Sequence, residues 1–274
     1  MSPTDDWTLI VTVNDDHVLK RNLLRSPDID GRCQIILKSG FESASEAYNA
    51  AIRESSGHVL VFAHQDVYLP IGWLDKLFAT LCRLDTVDPA WGVLGVYGIA
   101  NTGEGAGHVY ATGLDGMLGG QFEGVIETSS LDEMLLITRR GSGLFFDEHL
   151  PGFHLYGTDV CMEARTKGLK SYIIPALCIH NSNGKRVLPL AFWKSYLYMR
   201  RKWWNELPVE TCCVAIRKNC LWPMLRSLKS SYNRVVHPAL DPIGHRTPDV
   251  EVLWKELCSR EGPDCESNLN TANS

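Results

Sequence analysis

His64, Gln65 and Asp66 directly follow the apolar run Val59-Leu60-Val61-Phe62-Ala63. A histidine and a carboxylate therefore stand at the end of what reads as a buried strand. Two positions apart in extended chain, the side chains of His64 and Asp66 point the same way. An imidazole and a carboxylate converging like this can hold a divalent cation. His180, after the apolar stretch 173–179, is a candidate third ligand from across the site. Mixed nitrogen and oxygen donors suggest manganese or magnesium. Each residue also has a plainer reading, Asp66 as a turn cap and the two histidines as satisfied structural groups.

The elements that would carry these residues alternate between strand and helix. Residues 7–13 are apolar and β-branched and stop at Asn14-Asp15-Asp16; residues 32–37 form a second short strand ended by Lys38-Ser39-Gly40. Residues 45–55 have helical spacing, with Ala47, Ala50, Ala51 and Ile52 as the apolar stripe, Ser43 or Ser45 as cap and Gly57 just past the end. The strand 58–63 follows. Such repetition implies a parallel sheet covered by helices on both faces, with ligands bound outside the carboxyl ends of its strands. Those ends carry Asn14-Asp15-Asp16, Lys38-Ser39, His64-Gln65-Asp66 and His180.

Farther on, the pattern predicts a helix at 73–84, strands at 91–98, 131–138 and 170–174, and helices at 157–168 and 190–204. The glycine-rich segment 101–120 reads as a long loop or hairpin, of the kind that often forms a lid. The polar tail from Gly262 is expected to be disordered.

With 274 residues the chain can bury one large core and carry a smaller appendage. A formal net charge of -5 gives no global electrostatic case for nucleic-acid binding. Nine cysteines without a CxxC pair fit a reducing compartment better than a disulfide scaffold. The acidic start MSPTDDWTL has no signal-peptide pattern, and no apolar run approaches the roughly 20 residues needed to span a bilayer. A cytoplasmic protein is expected, at most peripheral on a membrane.

The segment EAYNAAIRESSGHVLVFAHQDVYLP resembles the front half of a GT-A-type glycosyltransferase of the family-2 kind. LDEMLLITRR, FFDEHLPGFHLYGTDVCMEARTKGLKSYIIP and IHNSNGK resemble its acceptor half in the same order. The His-Gln-Asp form, in place of Asp-x-Asp, is similar to a bacterial glycosyltransferase-like subgroup. The resemblance implies a GT-A-like, mostly parallel α/β sheet in residues 1–188, with a nucleotide-sugar half (about 7–100) and an acceptor half (about 101–188). A helical extension (189–261) and the tail (262–274) would follow.

The same resemblance implies transfer from a nucleoside-diphosphate sugar, with uridine diphosphate favoured, to a glycan or lipid-linked acceptor. It puts Asp66, His180 and His64 on a cation, Mn2+ or Mg2+. Val13, Asn14, Asp15, Lys38, Asn49 and Gln65 would hold the nucleotide, and Lys185 the diphosphate. Asp159 would be the general base of an inverting transfer, and His154 and Asp132 would face the acceptor. Two departures stand out: an imidazole replaces the first aspartate of the metal motif, and Gly157 occupies a position where many relatives carry a second acid. A catalytically silent binding module is therefore a rival. A sugar nucleotidyltransferase is a weaker one, because VNDDHVLKRN is no glycine-rich phosphate loop.

Residues 192–204 carry six aromatics and four cations. They suit a membrane interface, or equally a helix with its aromatics packed inward and its cations in water. Arg217, Lys218, Arg226 and Lys229 extend the basic trend.

Overall fold

The computed structural model describes residues 6–29, 31, 33–182, 188–221, 225 and 248–261. Lys185, Arg226, Lys229 and the segment 262–274 lie outside these residues. The first unit runs β1 (Trp7–Thr12), α1 (Asp16–Arg21), β2 (Gln34–Lys38), α2 (Ala44–Glu54) and β3 (Val59–His64). Ser43 caps α2, its Oγ accepting from Glu46 N at 3.2 Å. In β1, Leu9 and Val11 face one cluster and Ile10 the opposite one. Both faces are thus buried, which is why these strands read as unbroken apolar runs.

Then come β4 (Val67–Tyr68), α3 (Trp73–Val87), β5 (Val93–Gly95), β6 (Tyr97–Ala100), β7 (Gly105–Ala111), β8 (Gly116–Gly119), β9 (Ile126–Leu131) and β10 (Leu135–Arg139). The chain closes with α4 (Tyr156–Thr166), β11 (Ser171–Ile173), β12 (Cys178–His180), α5 (Leu190–Lys202) and α6 (Val250–Glu261). The strands join in the order β2-β1-β3-β10-β5-β11-β9-β6-β7-β12-β4, with β8 on β7.

The α/β architecture is as expected, but the sheet is mixed rather than mostly parallel. Helical crossovers keep β1, β2 and β3 parallel. β10 runs antiparallel to both its neighbours, β6 pairs antiparallel with β7 through a short turn that cannot return a strand in parallel, and β9 pairs antiparallel with β6. The stretch 91–98 breaks into β5 and β6. Segment 101–120 is largely the β7–β8 hairpin, not an open lid. Its glycines permit close backbone approach: a Cβ on Gly119 would stand 2.0 Å from Gly107 O.

Helices α2, α4 and α5 share one core cluster with Ile10, Leu60 and Phe62, while α3 packs with Leu9, Val61 and Leu94 on the other side. Helix α6 covers Tyr68, Tyr110 and Ile179. In α5, Phe192, Trp193 and Tyr196 are 1%, 7% and 0% exposed. Three of the six aromatics that suggested a membrane interface are therefore core residues, whereas Trp204 is 42% exposed, and Lys194 and Arg201 face solvent. No helix of the described residues is long and apolar enough to cross a membrane.

The end of α5 is fastened by charge. Lys202 Nζ lies 2.8 Å from Asp147 Oδ2, 2.8 Å from Asp159 Oδ1 and 2.7 Å from Glu163 Oε1. Tyr198 donates to Asp147 at 2.7 Å and Trp203 Nε1 to Asp159 at 2.7 Å. Removing the one cation would leave three carboxylates facing each other under partial burial. We expect Lys202→Met to lower unfolding free energy by about 3–5 kcal/mol, measured by urea denaturation at neutral pH. Burial alone would raise the Asp147 carboxyl, but the bonds from Lys202 and Tyr198 bring it down to about 2. Stability from this group is therefore present above its unfolded value of about 3.9 and is lost as pH falls towards 2. The gap between Lys202→Met and wild type should narrow over that window.

Candidate active site

The register of β1 sets Thr12 beside Lys38 of β2 and His64 of β3, so three strand ends open at one level. A cavity of about 620 Å³ lies there. Its walls include Val13, Asn14, Lys38, His64, Gln65 and Asp66, as expected, together with Phe41 and Phe153. Gln65 links two strand ends: its Oε1 accepts from Asn14 N at 3.0 Å and Asp15 N at 3.1 Å, and its Nε2 donates to Asn14 Oδ1 at 2.5 Å.

Asp66 and His180 are 114 positions apart and are brought together by β4 and β12, whose antiparallel register pairs Val67 with His180. Asn181 N donates to Asp66 O at 2.8 Å, and Thr112 Oγ1 donates to the carbonyls of His180 (3.3 Å) and Ser182 (3.0 Å). His180 Nε2 is 3.4 Å from Asp66 Oδ1, and one donor atom each from His64, Asp66 and His180 all lie within 4.8 Å of one another. Burial would raise the Asp66 carboxyl, yet the imidazoles of His180 and His64 hold it below the ordinary carboxylate range. Burial lowers His64. For His180 burial acts in the same sense, but the Asp66 carboxylate outweighs it and raises the imidazole.

His64 is oriented from behind by Tyr156, whose hydroxyl lies 2.8 Å from His64 Nε2, 3.2 Å from Glu133 O and 3.4 Å from Tyr48 OH. Neither tyrosine was read as a site residue from the sequence. The only signal available was a tyrosine within a helix stripe, which is indistinguishable from ordinary core.

Other expected residues are placed differently. The Asp15 carboxylate caps α1, accepting from His17 N at 2.9 Å and Val18 N at 3.2 Å, and does not line the cavity. Asn49 is 2% exposed and serves as a staple: Nδ2 donates to Phe146 O (2.8 Å) and Glu148 Oε1 (3.0 Å), and Oδ1 accepts from Phe146 N (2.9 Å). It holds the loop before α4 rather than a nucleotide. His154 packs edge-on against Phe192, ring centroids 5.7 Å apart. Lys38 reaches the cavity but is paired to Glu54 at 2.6 Å. Asp132 sits on the turn between β9 and β10, not at the start of the strand.

The expected base, Asp159, is 1% exposed. Both its oxygens accept from Lys202 Nζ, at 2.8 and 2.9 Å, and one also from Trp203. It does not line the cavity.

Asn49→Ala would strip a buried N–H and C=O of their partner, so we expect a loss of about 2–4 kcal/mol of stability. Calorimetry should show the lowered melting temperature, and ligand titration of the folded variant should show unchanged nucleotide affinity.

Residues 8–188 match the model of the family described as "Glycosyltransferase like family". A curated Fuscovulum blasticum protein, "ATP synthase subunits region ORF 6", is 31% identical over 122 residues, 43% of this chain and 49% of that protein. The chain thus matches about half the length of that relative. Among solved structures, the mannosyltransferase PcManGT from Pyrobaculum calidifontis, in complex with GDP-Man and Mn2+, is similar over 98% of this chain and 79% of its own, with 11% identity and a TM-score of 0.44. S. aureus TarS 1-349 is similar over 72% and 64%, with 12% identity and a TM-score of 0.46. The family match runs from β1 through β12 and takes in the strand ends and the His64–Asp66–His180 cluster; the chain belongs to the glycosyltransferase-like family.

Proposed function

We propose that this transferase moves a glycosyl group from a nucleoside-diphosphate sugar to an acceptor hydroxyl, in a single inverting displacement, at the cavity between β1, β2 and β3. The observation that carries this reading is the meeting of that cavity with the His64–Asp66–His180 cluster at one set of strand ends. Asn14 and the Lys38–Phe41 turn offer polar and aromatic surface to a nucleoside, and Asp66 at the inner wall faces the place of the diphosphate.

The donor set fits a divalent cation. Two ligands on one ion with bonds of about 2.1 Å stand roughly 3.0–3.5 Å apart, and His180 and Asp66 are 3.4 Å apart. Two imidazoles with one carboxylate suit Mn2+ better than Mg2+, which prefers oxygen throughout. With the Tyr156 proton given to Glu133 O, its oxygen accepts from His64 Nε2–H and leaves Nδ1 with a free lone pair. When bound, the cation would neutralise charge developing on the leaving diphosphate. The imidazole that replaces the usual first aspartate leaves the site with less negative charge to offset the ion.

Uridine-diphosphate donors and a glycan acceptor remain the reading from the family resemblance. Burial of Phe192, Trp193 and Tyr196 favours a packed α5 over a membrane-facing one. The eight free cysteines among the described residues fit the reducing cytoplasm.

Thermal shift against UDP-glucose, UDP-galactose, UDP-N-acetylglucosamine and GDP-mannose, with and without MnCl2, tests the proposal. A donor at 100 times its Kd stabilises the native state by about 2.7 kcal/mol. We expect a rise in melting temperature for one nucleotide class, dependent on Mn2+ and absent in Asp66→Asn and His180→Ala. No shift with any donor at millimolar concentration would overturn it.

A further inference from the structure

We propose that the catalytic base of this transfer is Asp132, on the turn between β9 and β10, and that Asp159 is a structural anchor of α5; this rests on the transferase reading above. The base must be a carboxylate close to the cluster and not already engaged by a cation. Asp66 belongs to the cluster and Asp15 to the cap of α1. Asp147 and Asp159 are both held by Lys202. Glu148 is bound to Asn49 and faces Arg53 at 3.5 Å. The β9–β10 turn carries two further acids, Asp132 and Glu133; both lie outside the cavity-wall residues, and among the described residues neither has an ion-pair partner.

The turn that carries them is bolted to the metal motif. His64 N donates to Met134 O at 2.9 Å, Tyr156 OH donates to Glu133 O, and Asp132 N donates to Tyr97 O at 2.9 Å. The Asp132 carboxylate is half-buried, its Oδ1 accepting from Met134 N at 3.0 Å; among the described residues Oδ2 has no hydrogen-bond donor. Met134 thus joins the Asp132 carboxylate to the backbone of His64. Glu133 is spoken for: Oε1 accepts from Leu155 N at 2.5 Å, holding a left-handed residue (φ 65°) at the start of α4. Burial and the neighbouring Asp132 push the Glu133 carboxyl up to about 8, so it keeps its proton at neutral pH.

Gly157 accounts for the exchange of roles. A Cβ there would stand 2.6 Å from Leu131 O and 3.3 Å from Asp132 C. Helix α4 is pressed against the 131–132 backbone, and an acid at 157 would displace the turn. The carboxylate is supplied from that turn instead. In the step, the acceptor oxygen forms a bond to the anomeric carbon as the bond from that carbon to the diphosphate oxygen breaks. The bonding pair leaves on the diphosphate, and the acceptor proton passes to Asp132.

The test combines nucleotide release with donor binding for wild type, Asp132→Asn and Asp159→Asn. The probe is whichever UDP- or GDP-sugar gives the thermal shift, with Mn2+ and a panel of simple glycosides, water included, as acceptors. Asparagine at 132 retains the bond from Met134 N, so the fold should survive. We expect Asp132→Asn to keep the donor-induced shift and lose about 10²–10⁴-fold in release rate. Asp159→Asn should melt lower yet release nucleotide within an order of magnitude of wild type. Release by Asp132→Asn at near wild-type rate would overturn the assignment. So would loss of release in Asp159→Asn with its donor shift intact. Donor binding without release by the wild-type chain would also overturn it, in favour of a silent binding module, while the donor site stood. Absence of donor binding altogether would count against the transferase site itself.

Discussion

One buried phenol holds the candidate site together. Tyr156 is 2% exposed, and its oxygen is where β3, the β9–β10 turn, α2 and α4 meet, through His64, Glu133, Tyr48 and its own helix. A phenolic hydroxyl away from water must find partners or cost the fold its desolvation. Burial also raises its pKa well above the ordinary tyrosine value, so it stays neutral and can both donate and accept. The four elements are therefore fixed relative to one another at the point where His64 must present a nitrogen. Glycine at 157 follows from the same contact, since bringing Tyr156 to His64 draws the next residue onto the backbone of the turn.

Charge allocation is the second organising constraint. The chain is net acidic, and several of its carboxylates crowd near the strand ends, so the supply of nearby cations decides which acids are structural. Lys202 takes three of them at once and thereby docks α5. Its own side chain is only 18% exposed, and Trp203 stacks near it with the ammonium 4.9 Å from the ring centroid. The pairing withdraws Asp147 and Asp159 from other work, and at Asp159 the bonds from Lys202 and Trp203 offset only part of the burial that raises its carboxyl. Asp66 is partnered by imidazoles instead, groups that can yield to a cation. Among the described residues Asp132 has neither, and a carboxylate without a fixed counter-charge is the one available to take a proton.

The sheet shows how local and distant constraints divide the labour. In β1, β2 and β3, helical crossovers enforce parallel pairing and deliver the residues after each strand to one edge. Beyond β5 the turns shorten and the pairing becomes mixed, which allows the very short β4 and β12 to meet and set Asp66 against His180. The cavity is built mainly by the parallel part, whereas the third ligand and the proposed base come from the mixed part.

Much of this was legible in the chain itself. Buried strands announce themselves as apolar runs, and chain direction places whatever follows them at the sheet's carboxyl edge. Asn14, Lys38, His64, Gln65 and Asp66 could therefore be assigned to one mouth from local pattern alone, and the cap of α2 to Ser43 or Ser45, between which the fold chose Ser43. The aspect that local pattern could not reach is partnership. Asp159 looks the same in sequence whether it faces an acceptor or Lys202, 43 residues away. Asn49 looks the same whether it meets a nucleotide or the Phe146 backbone, 97 residues away. A side chain's type limits the bonds it can make, but only the folded chain decides which donor or cation arrives beside it. Sequence thus determined the sheet edge and the kinds of groups gathered there. Tertiary structure decided which of those groups were left free to act, because hydrogen bonds and ion pairs between remote segments are settled by packing.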